Sequence, residues 1–328
     1  MGSVRHQNKG GETSESKRRK YSITKTSTPL DKRKSEFRIN KTLLSVIPLS
    51  KRVYYTINWC SLKMSTPLME VSDLTKKFGS VQALTGLTFK VLPGEIYGLL
   101  GPNGAGKTTT IKAIIGLIEP TSGTVNVNGF NPAKNSIEVK SKIGYVAEKP
   151  ILYDSLSPRD FLEFVVSIRK IDQKTVNYII TQLGDAFDVA KYFDVPIATL
   201  STGMKQKIAL IASFIHQPPL LLLDEPLSGL DAKTSRIVKD LLSLHVKQGG
   251  AVLFSTHIME VAEHICTRIG IIHQGRIIAE GTLDQLKTKT GNKKDTLEEV
   301  FLKLTNEENE VTDKTRLLGE AFFKNETA

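Results

Sequence analysis

From Leu68 onward the chain alternates short apolar runs with stretches of helical spacing; before about Leu49 it does neither. Leu68 to Leu74 and Leu87 to Val91 read as strands, the second alternating apolar and polar positions strictly. Glu95 to Leu100 predicts another, running straight into a glycine-rich turn. Lys107 to Leu117 has apolar residues at helical spacing. Val125 to Val127, before the turn Asn128-Gly129, and Ile143 to Ala147 read as further strands. Ser155 to about His216 has helical periodicity and no strong strand. It opens on Ser157-Pro158-Arg159-Asp160, where Ser157 can cap, Pro158 suits the first helical position and Asp160 completes a capping box. Leu220 to Leu223 is apolar at every position, as in a parallel strand buried on both faces. A helix after Asp231, a strand from Ala251 to Ser255, and a hairpin of Ile269 to His273 with Arg276 to Ala279 complete the alternation. This is an α/β pattern without internal repeats, interrupted by a helical insert at about 150–216.

Composition changes this picture in one place. The 328 residues carry a net charge of +11, which suggests a polyanionic partner until it is located. Residues 1–63 hold 15 Lys and Arg against 4 Asp and Glu, the whole of the excess. The remainder is neutral, so nucleic acid is not an expected partner of the folded part. The N-terminal 63 residues read as a basic, disordered extension. Met64 stands just before the first strand, so the segment reads either as an upstream reading extension or as a tail for anionic lipid or nucleic acid. The two cysteines, Cys60 and Cys266, have no metal-ligand spacing and fit a reducing cytoplasm. No apolar run approaches the ~20 residues that span a bilayer.

The chemistry concentrates where strands end. Gly101-Pro102-Asn103-Gly104-Ala105-Gly106-Lys107-Thr108 fits G-x-x-x-x-G-K-[ST], with a strand before it and a helix after it. Glycines let backbone N–H groups converge on phosphates, and the helix directs its positive end at them. Lys107 would hold the β- and γ-phosphates of ATP, and Thr108 would ligate Mg2+. Asp224 and Glu225 follow the leucine run, at the end of the strand where open α/β sheets bind ligands. A strand ending in acids often only caps the next helix. Beside a phosphate-binding loop, Asp224 instead reads as the magnesium ligand and Glu225 as the base that takes a proton from the attacking water.

Three further motifs and an aromatic stand in a family's order. Leu200-Ser201-Thr202-Gly203-Met204-Lys205-Gln206 resembles the signature of ATP-binding cassette proteins, Ser228-Gly229-Leu230-Asp231 their D-loop, and His257 after Ser255-Thr256 their switch histidine. Phe78 falls where that family stacks adenine, although an aromatic there can equally be a packed core residue. The resemblance covers about residues 68–288. It implies a P-loop NTPase (RecA-like) core with an antiparallel β subdomain and a helical subdomain bearing the signature, over 64–290, and a helical extension at 291–328. It also implies that Thr109 lies in the nucleotide site and that two subunits, identical or different, pair head to tail. ATP would then lie between one chain's loop and Ser201 and Gly203 of the other, with His257 on the γ-phosphate and Asp231 coupling the sites. Asp231 read alone is a helix cap.

Two departures qualify the resemblance. Thr202 and Met204 replace the commonest residues of the signature, and Glu148 stands where the family has a glutamine that meets Mg2+. A carboxylate still ligates magnesium, but while ionised it cannot donate a hydrogen bond. With the late segment Thr296 to Thr305, these features resemble the branch that energises exporters. Leu297, Val300, Phe301 and Leu304 share a helical face that would cover the core, pair with a second subunit or touch a permease. The expected function is ATP hydrolysis at the cytoplasmic face of a membrane, coupled to an integral permease. The alternative is a cassette acting on ribosomes or nucleic acid.

Overall fold

The computed structural model describes residues 66–323 apart from Lys293 and Asn306, so the reading of residues 1–63 lies outside the described residues. Strands β1 (Met69–Phe78), β2 (Val81–Val91) and β4 (Ser122–Val127) form an antiparallel sheet in the order β2-β1-β4. Strands β3 (Ile96–Leu100), β5 (Ile143–Val146), β6 (Leu220–Asp224), β7 (Ala251–Thr256), β8 (Arg268–His273) and β9 (Arg276–Gly281) form a six-stranded sheet in the order β5-β6-β7-β3-β8-β9. Its neighbours are parallel except for the β8-β9 hairpin.

The consecutive leucines of β6 serve both faces of this sheet. Leu220 and Leu222 enter one core with the small sheet and helix α1 (Lys107–Ile114), while Leu221 and Leu223 enter a second core with the helical insert. In β7, Ala251 and Leu253 alternate with Val252 and Phe254 in the same way. The period of two along a strand thus explains why every position is apolar. Helix α2 (Ser136–Lys142) precedes β5 and has no counterpart in the sequence reading, because it is only about two turns long and buries only Val139.

The insert comprises α3 (Pro158–Arg169), α4 (Gln173–Ala186), two short 3-10 turns and α5 (Thr202–Phe214). Its entry is the expected capping box: Ser157 Oγ accepts from the Asp160 amide at 3.1 Å, and Asp160 accepts from the Ser157 amide at 3.2 Å. Helices α6 (Ala232–Lys247) and α7 (Met259–Ile265) flank β7 in sequence. The chain ends in α8 (Leu283–Lys289), α9 (Leu297–Thr305) and α10 (Glu308–Phe323). Leu297, Val300 and Phe301 are buried against β8 and β9 residues in a third core. Of the three uses open to that face, covering the core is the one the packing shows.

Helix α1 stops at Ile114 rather than Leu117, because Gly116 takes a left-handed φ of 72° and packs on the Pro132 carbonyl. Strands β1 and β2 run longer than their apolar patterns. Their outer ends, Lys77-Phe78 and Val81-Gln82, pair through the backbone while exposing side chains, and register shifts break the alternation there.

Candidate functional site

Sheet register assembles the site. Leu100 of β3 pairs with Thr256 of β7, and Ser255 pairs with Asp224 of β6. The phosphate-binding loop, the Asp224-Glu225 pair and the Ser255-Thr256-His257 run therefore emerge side by side at the carboxyl edge of three adjacent strands. The loop is pinned from below: a Cβ on Gly101 would lie 2.2 Å from the Ile272 carbonyl, so no larger residue fits. Gly106 caps α1 at a φ of 110°, a conformation that L residues rarely adopt. Pro102, Asn103 and Gly104 are exposed, Ala105 is buried, and Thr108 and Thr109 are half-buried at the first turn of α1.

Lys107 is 6% exposed. Its ammonium donates to the Gly101 and Pro102 carbonyls at 2.7 and 3.2 Å and lies 3.6 Å from Glu225 Oε1. Glu225 is buried and held from every side. Its amide donates to the Ser255 carbonyl at 3.1 Å, its Oε2 accepts from Thr256 Oγ1 at 3.1 Å, and its Oε1 meets His257 Nδ1 at 2.8 Å. Its φ of 48° is left-handed for a residue with a Cβ, a strain characteristic of functional positions. With Glu225 ionised, His257 must carry its proton on Nδ1 to donate this bond.

Asp224 is fully buried. Its Oδ1 accepts from Ser255 Oγ at 2.5 Å, whereas its Oδ2 is enclosed and has no hydrogen-bond partner. A buried carboxylate oxygen left unpaired is costly, and it fits a site completed by a cation. No group of three His, Cys, Asp or Glu side chains able to hold a metal occurs among the described residues. Magnesium bound with phosphates needs only one or two carboxylates, so Asp224 and the Thr108 hydroxyl suit it. Glu148 is exposed two residues beyond β5, on the same edge, since Val146 pairs with Leu223.

Phe78 ends β1 with 49% of its surface exposed, and the Lys76 ammonium lies 5.0 Å from its ring centroid. The ring is therefore not a packed core residue. Ser201 is exposed and caps α5, its Oγ accepting from the Met204 amide at 3.3 Å. Gly203 lies against the D-loop: a Cβ there would be 2.4 Å from the Gly229 carbonyl.

Asp231 caps α6 through the Thr234 amide and hydroxyl, both at 2.8 Å, and pairs with Lys207 at 2.8 Å. Hydrogen bonds from Lys207, then from Thr234, hold its carboxyl well below the usual range. The capping role is thus seen directly. Lys207, Gln206 and the hydroxyls of Ser255 and Thr256 were not read from the sequence as site-building groups. Only the strand register and the inward face of α5 reveal them.

A parallel sheet with a phosphate-binding loop between β3 and α1, and two acids ending the next strand but one, defines a P-loop nucleotide hydrolase fold. Residues 84–228 match the family model described as ABC transporter. The chain is 38% identical over 240 residues to the probable multidrug ABC transporter ATP-binding protein YbhF of Escherichia coli, covering 72% of the chain but 41% of that protein. It is 35% identical over 241 residues to the ABC-type transporter ATP-binding protein EcsA of Bacillus subtilis, covering 74% of the chain and 98% of that protein. A solved structure described as the ATP-binding subunit of an ABC transporter superposes with a TM-score of 0.70 at 34% identity, over 73% of the chain and 99% of that structure. The chain belongs to the family of ABC transporter ATP-binding proteins.

Proposed function

We propose that the chain binds and hydrolyses ATP as one of a pair of cassette subunits and drives export through a separate integral membrane permease at the cytoplasmic face. Export is supported by the multidrug designation of YbhF and by the features resembling exporter subunits. No helix among the described residues is long and apolar enough to cross a membrane. Ile151, Tyr153 and Phe164 are exposed, and the Tyr153 ring meets Phe164 edge-on at 5.7 Å. That apolar surface beside the helical insert suits a protein partner. Relatives named as transporter subunits do not favour the ribosome or nucleic-acid alternative.

In the reaction, the loop N–H groups and Lys107 would bind the phosphates, with Phe78 against the adenine. Asp224, Thr108 and Glu148 would hold magnesium, which when bound neutralises the β- and γ-oxygens. Glu225 would accept the proton of the attacking water, oriented by Thr256 and His257. His257 would also contact the γ-phosphate. Ser201 and Gly203 would meet the γ-phosphate of a second subunit at the N-terminus of α5, and Asp231 would couple the two sites.

The observation that carries this reading is the buried Glu225 carboxylate, bonded to Thr256 and His257 and 3.6 Å from the loop lysine. Glu225→Gln preserves its shape while removing the base. ATP binding should survive, turnover should fall by about 10²- to 10⁴-fold, and an ATP-bound dimer should accumulate on size exclusion. Near-wild-type steady-state hydrolysis by this variant would refute the assignment.

A further inference from the structure

Helix α5, which begins at the signature, grips the segment that follows Glu225 at three points. Gln206 is 1% exposed and donates from Nε2 to the Pro226 carbonyl at 3.2 Å. Gly203 lies against Gly229, with no room for a Cβ between them. Lys207 is nearly buried and donates to Asp231 Oδ2 at 2.8 Å and to the Phe187 carbonyl at 3.0 Å.

These contacts bracket the Pro226 to Asp231 segment, whose first residue is bonded directly to Glu225. On its other side Glu225 is fixed by Ser255, and its own carbonyl accepts from the Ser228 amide at 3.1 Å. The backbone at Glu225 is left-handed and strained, so it keeps its conformation only while both flanks are held. Gln206 supplies a side-chain anchor on the C-terminal flank. The Pro226 carbonyl is buried, and losing its donor would leave it unpaired.

We propose that Gln206 and Lys207 are positioning residues for Glu225, making the signature N-terminus and the general base of the same chain one mechanical unit. The inference rests on the reading of Glu225 as the base and of Ser201 as a contact to the nucleotide of a second subunit. A γ-phosphate drawn to Ser201 and Gly203 pulls on the same helix whose next turn holds Pro226 and Asp231.

The test uses the full chain. Gln206→Met keeps length and volume but removes the donor. It should lower kcat by about 10- to 100-fold, the cost of a displaced reacting group, while KM for ATP stays within about twofold. Lys207→Met should act in the same direction, and Lys207→Arg, which retains donors to both partners, should restore activity. Adding Gln206→Met to Glu225→Gln should leave the ATP-trapped dimer intact.

An unchanged kcat in Gln206→Met, or equal impairment in Lys207→Arg and Lys207→Met, would overturn the inference. So would loss of binding of a fluorescent ATP analogue by Gln206→Met, which would make Gln206 a folding residue. Failure of Glu225→Gln alone to trap a dimer would instead count against the paired-subunit reading, leaving the kcat comparison to judge Gln206 separately.

Discussion

Mild acid should weaken this fold through two histidines remote from the chemistry. His216 follows α5 and its Nε2 meets the Ile143 carbonyl at 2.9 Å, at the start of β5. Burial, and then Arg169, push its imidazole down to about 4. His245 lies in the last turn of α6, its ring edge-on to Phe214 and against Gly250, just before β7. Burial pushes it down to about 4 as well, with main-chain groups of Ala251 and Pro219 opposing in part. In the unfolded chain both would titrate near 6.5.

Between those values the unfolded chain binds protons that the folded chain refuses. Their contribution is therefore complete above about pH 6.5 and is lost as pH falls toward about 4. At pH 5 each costs about 2 kcal/mol relative to pH 8, so the pair removes about 4 kcal/mol of a total on the order of 5–15. Carboxyls held low, such as Asp231, lose their contribution only below about pH 4 and leave this window clear. For a chain of this size the melting temperature should drop by roughly 8–16 °C between pH 8 and 5. Scanning calorimetry or thermal circular dichroism across that range measures it. The double variant His216→Gln/His245→Gln should flatten the dependence whatever its absolute stability. A melting temperature constant from pH 8 to 5, or a wild-type slope in the double variant, would refute the reasoning.

Two further outcomes test the packing around the site and at the far end of the sheet. Gly203→Ala should cost about 1–3 kcal/mol in urea unfolding and reduce ATP turnover, because its methyl must displace the Gly229 carbonyl; wild-type values for both would show that the D-loop yields freely. Arg268 binds Glu95 at 2.6 Å, pairs with Glu280 and lies over the Tyr97 ring at 4.8 Å. Arg268→Met should cost about 2–3 kcal/mol, after allowing for the 21% of that side chain that solvent reaches, and an unchanged urea midpoint would contradict this.

Features set by local sequence are legible in the sequence alone. The phosphate-binding loop needs only a strand, glycines and a helix start, all contiguous. The capping box at Ser157 and the doubly buried run at Leu220 follow equally local rules. What escaped depends on distant pairing. Nothing near Ser255 says that its hydroxyl will meet Asp224, because that follows from the order β6-β7-β3 and its register. Lys207 looked like one more cation among many until the fold set it beside an aspartate 24 positions away. The outer ends of β1 and β2 escaped because backbone pairing holds them while the side chains of Lys77, Phe78, Val81 and Gln82 face solvent.

The division of labour within the sheet explains why these perturbations can be read separately. The phosphate-binding loop, the Asp224-Glu225 pair and His257 lie at the carboxyl ends of β3, β6 and β7. The Arg268 network and both low-titrating histidines lie at the amino ends of β3, β5 and β7. The five residues of β3 separate the two edges by about 16 Å, at roughly 3.3 Å per residue. That exceeds the ~7–10 Å within which substitutions commonly couple. Protonating His216 or removing Arg268 should therefore lower stability without moving Glu225, whereas a change at Gln206 or Gly203, on the helix that spans from the signature to the second core, should alter the chemistry before the fold fails.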